Sequence, residues 1–222
     1  MNKRKKIAFL MIWDAILLLA FVVFTVIVST CDVCKIDGAA AEVGLSKINE
    51  FFFARLHYND VLYSISKYLG YALFLIIAYF GFLGLKQLIE KKSVFKVDKE
   101  ILLFGGMCVV MLSIYVLFEK AIINYRPIIV DASEGIEASY PSSHTFLAIC
   151  LCGAGIIMFG KYIQNKNVQK LVSISLAIAG IIVVLCRFLS AVHWFTDIVG
   201  SLILGAFVIM TFYTCIKMWG ER

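Results

Sequence analysis

Charged side chains are scarce in this chain: Asp, Glu, Lys and Arg make up 16% of its 222 residues, against 62% hydrophobic. With a mean hydropathy of +0.92, this excludes an ordinary soluble domain, in which roughly 25% of residues are charged. Proline occurs twice and histidine three times. Both prolines and two of the histidines fall in the polar stretches discussed below. A zinc site is disfavoured because Cys31 and Cys34 have no second cysteine pair nearby; a local disulfide between these two fits their spacing. Cys108, Cys150, Cys152, Cys186 and Cys215 lie in or at the ends of apolar runs, where cysteine behaves as a small hydrophobe. There is no acidic cluster suited to magnesium, since the acidic residues at 131, 134 and 137 share a loop and read as solvated. No internal repeat, low-complexity tract or linker divides the chain, which reads as one domain over residues 1–222.

What the chain has instead is long apolar runs, at 7–28, 68–85, 101–118, 145–160, 171–186 and 198–216. At 1.5 Å per residue each is long enough, or nearly so, to cross about 30 Å of hydrocarbon. The fold class expected is all-α, an integral membrane bundle of six transmembrane helices. The first run follows Lys3, Arg4, Lys5 and Lys6. Its length and the lack of a clear small-residue cleavage site predict a retained helix rather than a removed signal peptide. Asp14, inside that run, is expected to face the bundle.

The net charge of +6 bears on topology rather than on nucleic acid. Of the 21 cations, 14 fall at one set of helix ends: residues 3–6, 86–99, 161–170, 217 and 222. Seven fall at the other: Lys35, Lys47, Arg55, Lys67, Lys120, Arg126 and Arg187. Cations favour the cytoplasmic side, so both termini are expected there. Residues 29–46 read as a loop. Residues 46–66 read as an amphipathic helix on the outer surface, either a lipid access ramp or a plain connector. His57 reads as an interfacial side chain, and Asn59 or Asp60 as the cap of the next span.

The polar stretches lie between spans. Arg187, His193 and Asp197 form one. Ionisable residues next to lipid are functional hypotheses by default. A guanidinium fits phosphate. An Asp four residues after a His shares its face if the segment is helical. Bonded to one imidazole nitrogen, that carboxylate leaves the other more nucleophilic. A second stretch carries Lys120, Arg126 and Pro127, then Tyr140, Pro141, Ser142, Ser143 and His144. Pro127 is expected to end the third span and Pro141 to sit in the first turn of the fourth. Ser142 and Ser143 there would offer an anion site at a helix N-terminus. With a cytoplasmic N-terminus, all of these residues fall on one membrane face, the outer one.

Together the stretches resemble the type-2 phosphatidic acid phosphatase superfamily, which includes lipid phosphate phosphatases and vanadium haloperoxidases. Its pattern is Lys-x6-Arg-Pro, Pro-Ser-Gly-His and Ser-Arg-x5-His-x3-Asp. This chain has Arg126-Pro127, Pro141-Ser142-Ser143-His144 and Arg187-x5-His193-x3-Asp197, and the resemblance covers about residue 55 onward. Ser143 replaces glycine and Cys186 replaces serine. Lys120 stands six residues before Arg126, with Glu119 at the usual lysine position. One helical residue turns a side chain by about 100°; a π-bulge or unwound turn before Pro127 would bring Lys120 back, and that is the arrangement expected.

The resemblance implies a lipid phosphatase needing no metal or other cofactor, working through a phosphohistidine. His193 would be the nucleophile, Asp197 its orienting partner, and His144 the acid and then the base. Arg126, Arg187, Ser142, Ser143 and Lys120 would hold the phosphate oxygens. The partners implied are a membrane lipid phosphate and the bilayer, with undecaprenyl diphosphate favoured over phosphatidylglycerol phosphate or phosphatidic acid. Two other classes use the same residues differently: a vanadate haloperoxidase, and a non-catalytic protein that binds or moves a lipid. Phosphate release from a lipid diphosphate in EDTA separates them. The sequence carries no sign of oligomeric state.

Overall fold

Helix length and side-chain apolarity set this architecture. The computed structural model describes residues 3–133 and 135–219. Six of its helices are long and apolar enough to cross a membrane: α1 (Lys3–Thr30), α3 (Asp60–Lys91), α4 (Lys99–Lys120), α5 (Ser143–Tyr162), α6 (Lys166–Leu189) and α7 (Phe195–Trp219). The short α2 (Ser46–Phe53) precedes α3. A two-residue ribbon pairs β1 (Cys34–Lys35) with β2 (Glu42–Val43), Cys34 opposite Val43, where an irregular loop was expected. Cys31 and Cys34 are both free and exposed.

α5 and α7 form the centre of the bundle. Between them they bury Leu151, Cys150, Met158, Leu204, Val208 and Phe212, whereas α1 buries Phe21 and Val28. The outward faces of α1, α3, α4 and α6 expose Ile, Leu, Val and Phe, the pattern for helices bathed in lipid. Asp14 turns inward, and the Thr211 hydroxyl on α7 donates to it at 3.5 Å. The start of α1 lies beside the end of α7, where Lys3, Lys6, Tyr213 and Lys217 line one cleft. The cation-rich ends thus gather at one end of the bundle and the three motif stretches at the other; Arg222 and Glu134 lie outside the described residues.

The expected amphipathic helix over 46–66 is two helices. α2 stops at Phe53, residues 56–59 are non-helical, and Asn59 starts α3 by accepting the Leu62 N–H at 3.0 Å. That cap gives the new helix its own N-terminus and so separates it from α2. α2 turns Phe52 and Phe53 onto the protein and leaves Ile48 and Phe51 exposed. Phe52 stacks on Phe195 at 4.4 Å, and Phe53 lies against Trp194.

Candidate active site

The 187–197 stretch is a helix end, a turn and a helix start, not a continuous helix. Arg187 sits in the last turn of α6, and the Ser190 N–H closes that turn on the Cys186 carbonyl at 2.9 Å. Ala191 then adopts a left-handed conformation, φ 57°, which reverses the chain and ends the helix. His193 lies in the turn and Asp197 in the first turn of α7. The turn is pinned on both sides. The Trp194 indole N–H donates to the Tyr125 carbonyl at 2.7 Å. Asn49 of α2 accepts the Thr196 N–H at 3.2 Å and donates to the Thr196 hydroxyl at 3.0 Å. A side chain 147 residues away in sequence thus caps α7.

His193 Nδ1 lies 3.6 Å from Asp197 Oδ2, beyond a direct hydrogen bond. Ser139 stands between them. Its hydroxyl donates to Asp197 Oδ2 and lies 3.1 Å from His193 Nδ1. With that hydroxyl proton committed to the carboxylate, its oxygen accepts from Nδ1–H. The lone pair is then on Nε2, which is buried without a partner among the described residues. The Trp194 backbone N–H also donates to Oδ2, at 2.9 Å. Burial, then the guanidiniums of Arg126 and Arg187, hold the His193 pKa well below the usual histidine range. The imidazole is therefore neutral at pH 7, as a nucleophile requires.

The second stretch is organised by backbone pairing. α4 ends at Lys120, well short of Pro127. The chain then pairs Tyr125 with Ala138, so it leaves the helix to make an antiparallel bridge. The Arg126 N–H donates to the Glu137 carbonyl at 3.0 Å, and the Ser139 N–H to the Asn124 carbonyl at 2.9 Å. Glu137 is not merely solvated: its carboxylate pairs with Arg126 at 2.7 Å. Pro141, after a cis peptide bond, precedes the cap of α5 rather than sitting in its first turn. Ser142 is that cap residue, with its hydroxyl on Thr145 Oγ1 at 3.0 Å. Its N–H donates to the Asp197 carbonyl at 3.3 Å and its carbonyl accepts from Ser201 Oγ at 3.0 Å. These bonds lock the start of α5 to the start of α7. Tyr140 fills the space behind, over Gly200, where a Cβ would come within 2.5 Å of its ring.

Arg187 is fully buried, and none of its three side-chain nitrogens has a hydrogen-bond partner among the described residues. Its guanidinium lies over the Tyr63 ring at 4.7 Å. Arg126 Nε and His144 Nδ1 are also buried without partners. Ser143 belongs to two cavities. One also takes in His193, Ser139 and Glu119. The other, about 610 Å³, takes in His144, Tyr71, Phe74 and Leu112. Lys120 is exposed and lines neither cavity. The helix does unwind, but after Lys120 rather than before it, so α4 keeps Glu119 facing the His193 cavity.

Arg126, Arg187, Ser142, Ser143, His144, His193 and Asp197 are thus gathered at one end of the bundle; Lys120 ends α4 at that same end but is exposed and lines neither cavity. Sequence reasoning missed Ser139, Glu137 and Asn49. Ser139 precedes Tyr140-Pro141, but no spacing rule flags it. Asn49 shares α2 with Ser46, Lys47 and Glu50, so its polarity does not single it out in the sequence.

A model of the PAP2 superfamily matches residues 104–221, just over half of the chain. The chain belongs to the PAP2 superfamily. Membership supports phosphatase chemistry on a membrane lipid. The fold has a counterpart in the crystal structure of a transmembrane PAP2-type phosphatidylglycerolphosphate phosphatase from Bacillus subtilis. The TM-score is 0.59 at 18% sequence identity, over 90% of this chain and 94% of that one. Comparison with curated proteins finds no match. For this PAP2 chain the matched span begins inside α4, so α1, α2 and α3, including Tyr63 and Asn49, lie outside it.

Proposed function

We propose that this PAP2 protein is a single-domain, metal-independent lipid phosphatase that cleaves a phosphate or diphosphate group through a phosphohistidine on His193. Undecaprenyl diphosphate is favoured as substrate over phosphatidylglycerol phosphate or phosphatidic acid. One observation carries the reading: a buried, neutral imidazole with a free Nε2 lies within electrostatic reach of two guanidinium groups that have unpartnered donors. Burying a guanidinium without a partner is costly. A phosphoryl group offers oxygens for the free nitrogens of Arg187 and Arg126 and a phosphorus atom for Nε2.

In the first step Nε2 bonds to phosphorus and the bond to the bridging oxygen breaks. Its electron pair leaves with the lipid oxygen, which takes a proton from His144. Ser139 and Asp197 hold the Nδ1 proton and stabilise the cationic phosphohistidine. In the second step water gives a proton to His144 and attacks phosphorus, the N–P bond breaks, and phosphate leaves. Ser143 at the start of α5 completes the oxygen-binding wall; Ser142, expected to share that role, has its N–H on the Asp197 carbonyl and its hydroxyl on Thr145, and instead fixes the start of α5.

The cavity of about 610 Å³ beside His144 is walled by Tyr71, Phe74, Ile77, Met111, Leu112 and Leu147. Those side chains suit the lipid part of the leaving group and favour a lipid over a soluble phosphate ester. The charge asymmetry of the loops supports an outer, extracytoplasmic position for the site. Purified protein should release phosphate from undecaprenyl diphosphate in excess EDTA. Release that stops in EDTA and returns with a divalent cation would refute the metal-independent mechanism.

A further inference from the structure

The beginning of α3 forms a wall of the site that the family match does not include. Tyr63, Lys67, Gly70 and Tyr71 are spaced i, i+4, i+7 and i+8, one face of a helix. Three of them touch or adjoin the site. Tyr63 carries the Arg187 guanidinium on its ring at 4.7 Å. Tyr71 lies 6.4 Å from the His144 ring, centroid to centroid. Gly70 sits so close that a Cβ there would meet His144 Cδ2 at 3.5 Å. Lys67 is the fourth member, one turn from each aromatic residue, half-buried, with its ammonium 5.9 Å from the Tyr63 ring. Among the described residues no carboxylate pairs with it.

On that face Lys67 lies between Tyr63, which carries the Arg187 guanidinium, and Gly70 and Tyr71, which adjoin His144. His144 is the residue that meets the leaving oxygen in the reading above, and its cavity is the one suited to the lipid. Lys67 stands one helical turn before Tyr71, which lines that cavity, and so on the side of the group that departs. When a diphosphate is cleaved, the departing group is a lipid monophosphate that gains negative charge as the bridging bond breaks. When a monophosphate is cleaved, the departing group is an alcohol with no phosphate for an ammonium to hold.

We propose that Lys67 binds the phosphate that stays on the lipid, and that α3 thereby gives this site a preference for diphosphates over monophosphates. The inference rests on the phosphatase reading. Its test uses purified full-length protein in detergent micelles, with farnesyl diphosphate and farnesyl monophosphate as paired probes. The diphosphate-to-monophosphate ratio of kcat/KM should fall at least about tenfold, ~1.4 kcal/mol, in both Lys67→Met and Lys67→Gln. In Lys67→Arg, which keeps the charge, the ratio should stay within about threefold of wild type. A ratio unchanged in the Met and Gln variants overturns the proposal, whether both activities fall together or neither does. Wild-type protein that cleaves the monophosphate alone also overturns it, while leaving the phosphatase reading intact. Wild-type protein that cleaves neither probe removes the phosphatase reading itself.

Discussion

The turn carrying His193 and the segment carrying Lys120 are both motif stretches that follow a long helix, but they end differently. The 187–197 turn leaves α6 through a left-handed residue and re-enters a helix within six residues, Ser190 to Phe195. It is fastened from two other parts of the chain, by Asn49 of α2 and by Tyr125 and Ser139 of the segment between α4 and α5. The segment after Lys120 runs to Ser142 without a helix and is held by the Tyr125–Ala138 bridge and the Arg126–Glu137 pair. In the first case spacing along the sequence translates into position, because both ends are rigid. In the second, Arg126 is placed by its bridge partner across the loop, while Lys120 follows the helix it terminates. A motif is as good a guide to geometry as the structure that fixes both of its ends.

The largest expected effect lies in the fastened turn. His193→Ala should lower kcat by about 10⁴-fold or more, because the atom that bonds phosphorus is gone; residual activity within tenfold of wild type would mean another nucleophile. Arg187→Ala should cost about 10²–10³ in kcat/KM, ~2.7–4 kcal/mol. Arg126→Ala should cost less than Arg187→Ala, since part of the Arg126 charge is already taken up by Glu137. A larger loss at Arg126 would reverse that ordering. Ser139→Ala should fall between, about 10–100-fold in kcat with little change in KM, because it orients the imidazole without touching substrate. A loss confined to KM would contradict the bridging role.

Titration of the three histidines by NMR sharpens the same contrast. The signal missing from His193→Ala should stay in its neutral form as pH falls through 6.5, the ordinary histidine value. The sign follows from burial and two cationic neighbours, all of which disfavour the imidazolium. A His193 midpoint at or above about 6.5 would mean the imidazole is solvated or directly paired with Asp197. The smallest expected effect belongs to the loose segment. Lys120→Ala should change kcat/KM by less than about threefold, under ~0.7 kcal/mol. A tenfold loss would mean that Lys120 reaches the phosphate in the substrate complex.

The membrane-helix architecture was legible because hydrocarbon forces long apolar runs, and each of the six runs falls within one of the six helices. Boundaries were less so. Pro127 was expected to mark the end of α4, but the chain leaves the helix earlier to form backbone pairs that no local pattern announces. Arg187, His193 and Asp197 were legible as a group because few charged residues interrupt the apolar runs. What lay between them was not: Ser139 enters the site from the segment before α5, and contact at a separation of 54 residues leaves no periodic trace. Glu137 looked solvated because its partner is eleven positions back, across a loop. Lys67 sat in the flank of an amphipathic pattern, where a lysine reads as a surface charge until Tyr63 and Tyr71 are seen to face Arg187 and His144.

The claim that His193 carries the phosphoryl group is tested most directly by trapping it. Protein mixed with a lipid diphosphate labelled in its terminal phosphate, then quenched in alkali, should hold a base-stable, acid-labile label on the peptide containing His193. The label should be absent from His193→Ala and present in His144→Ala when the substrate has a leaving group that needs no proton. Label that persists in His193→Ala, or that maps to another residue, would contradict the assignment.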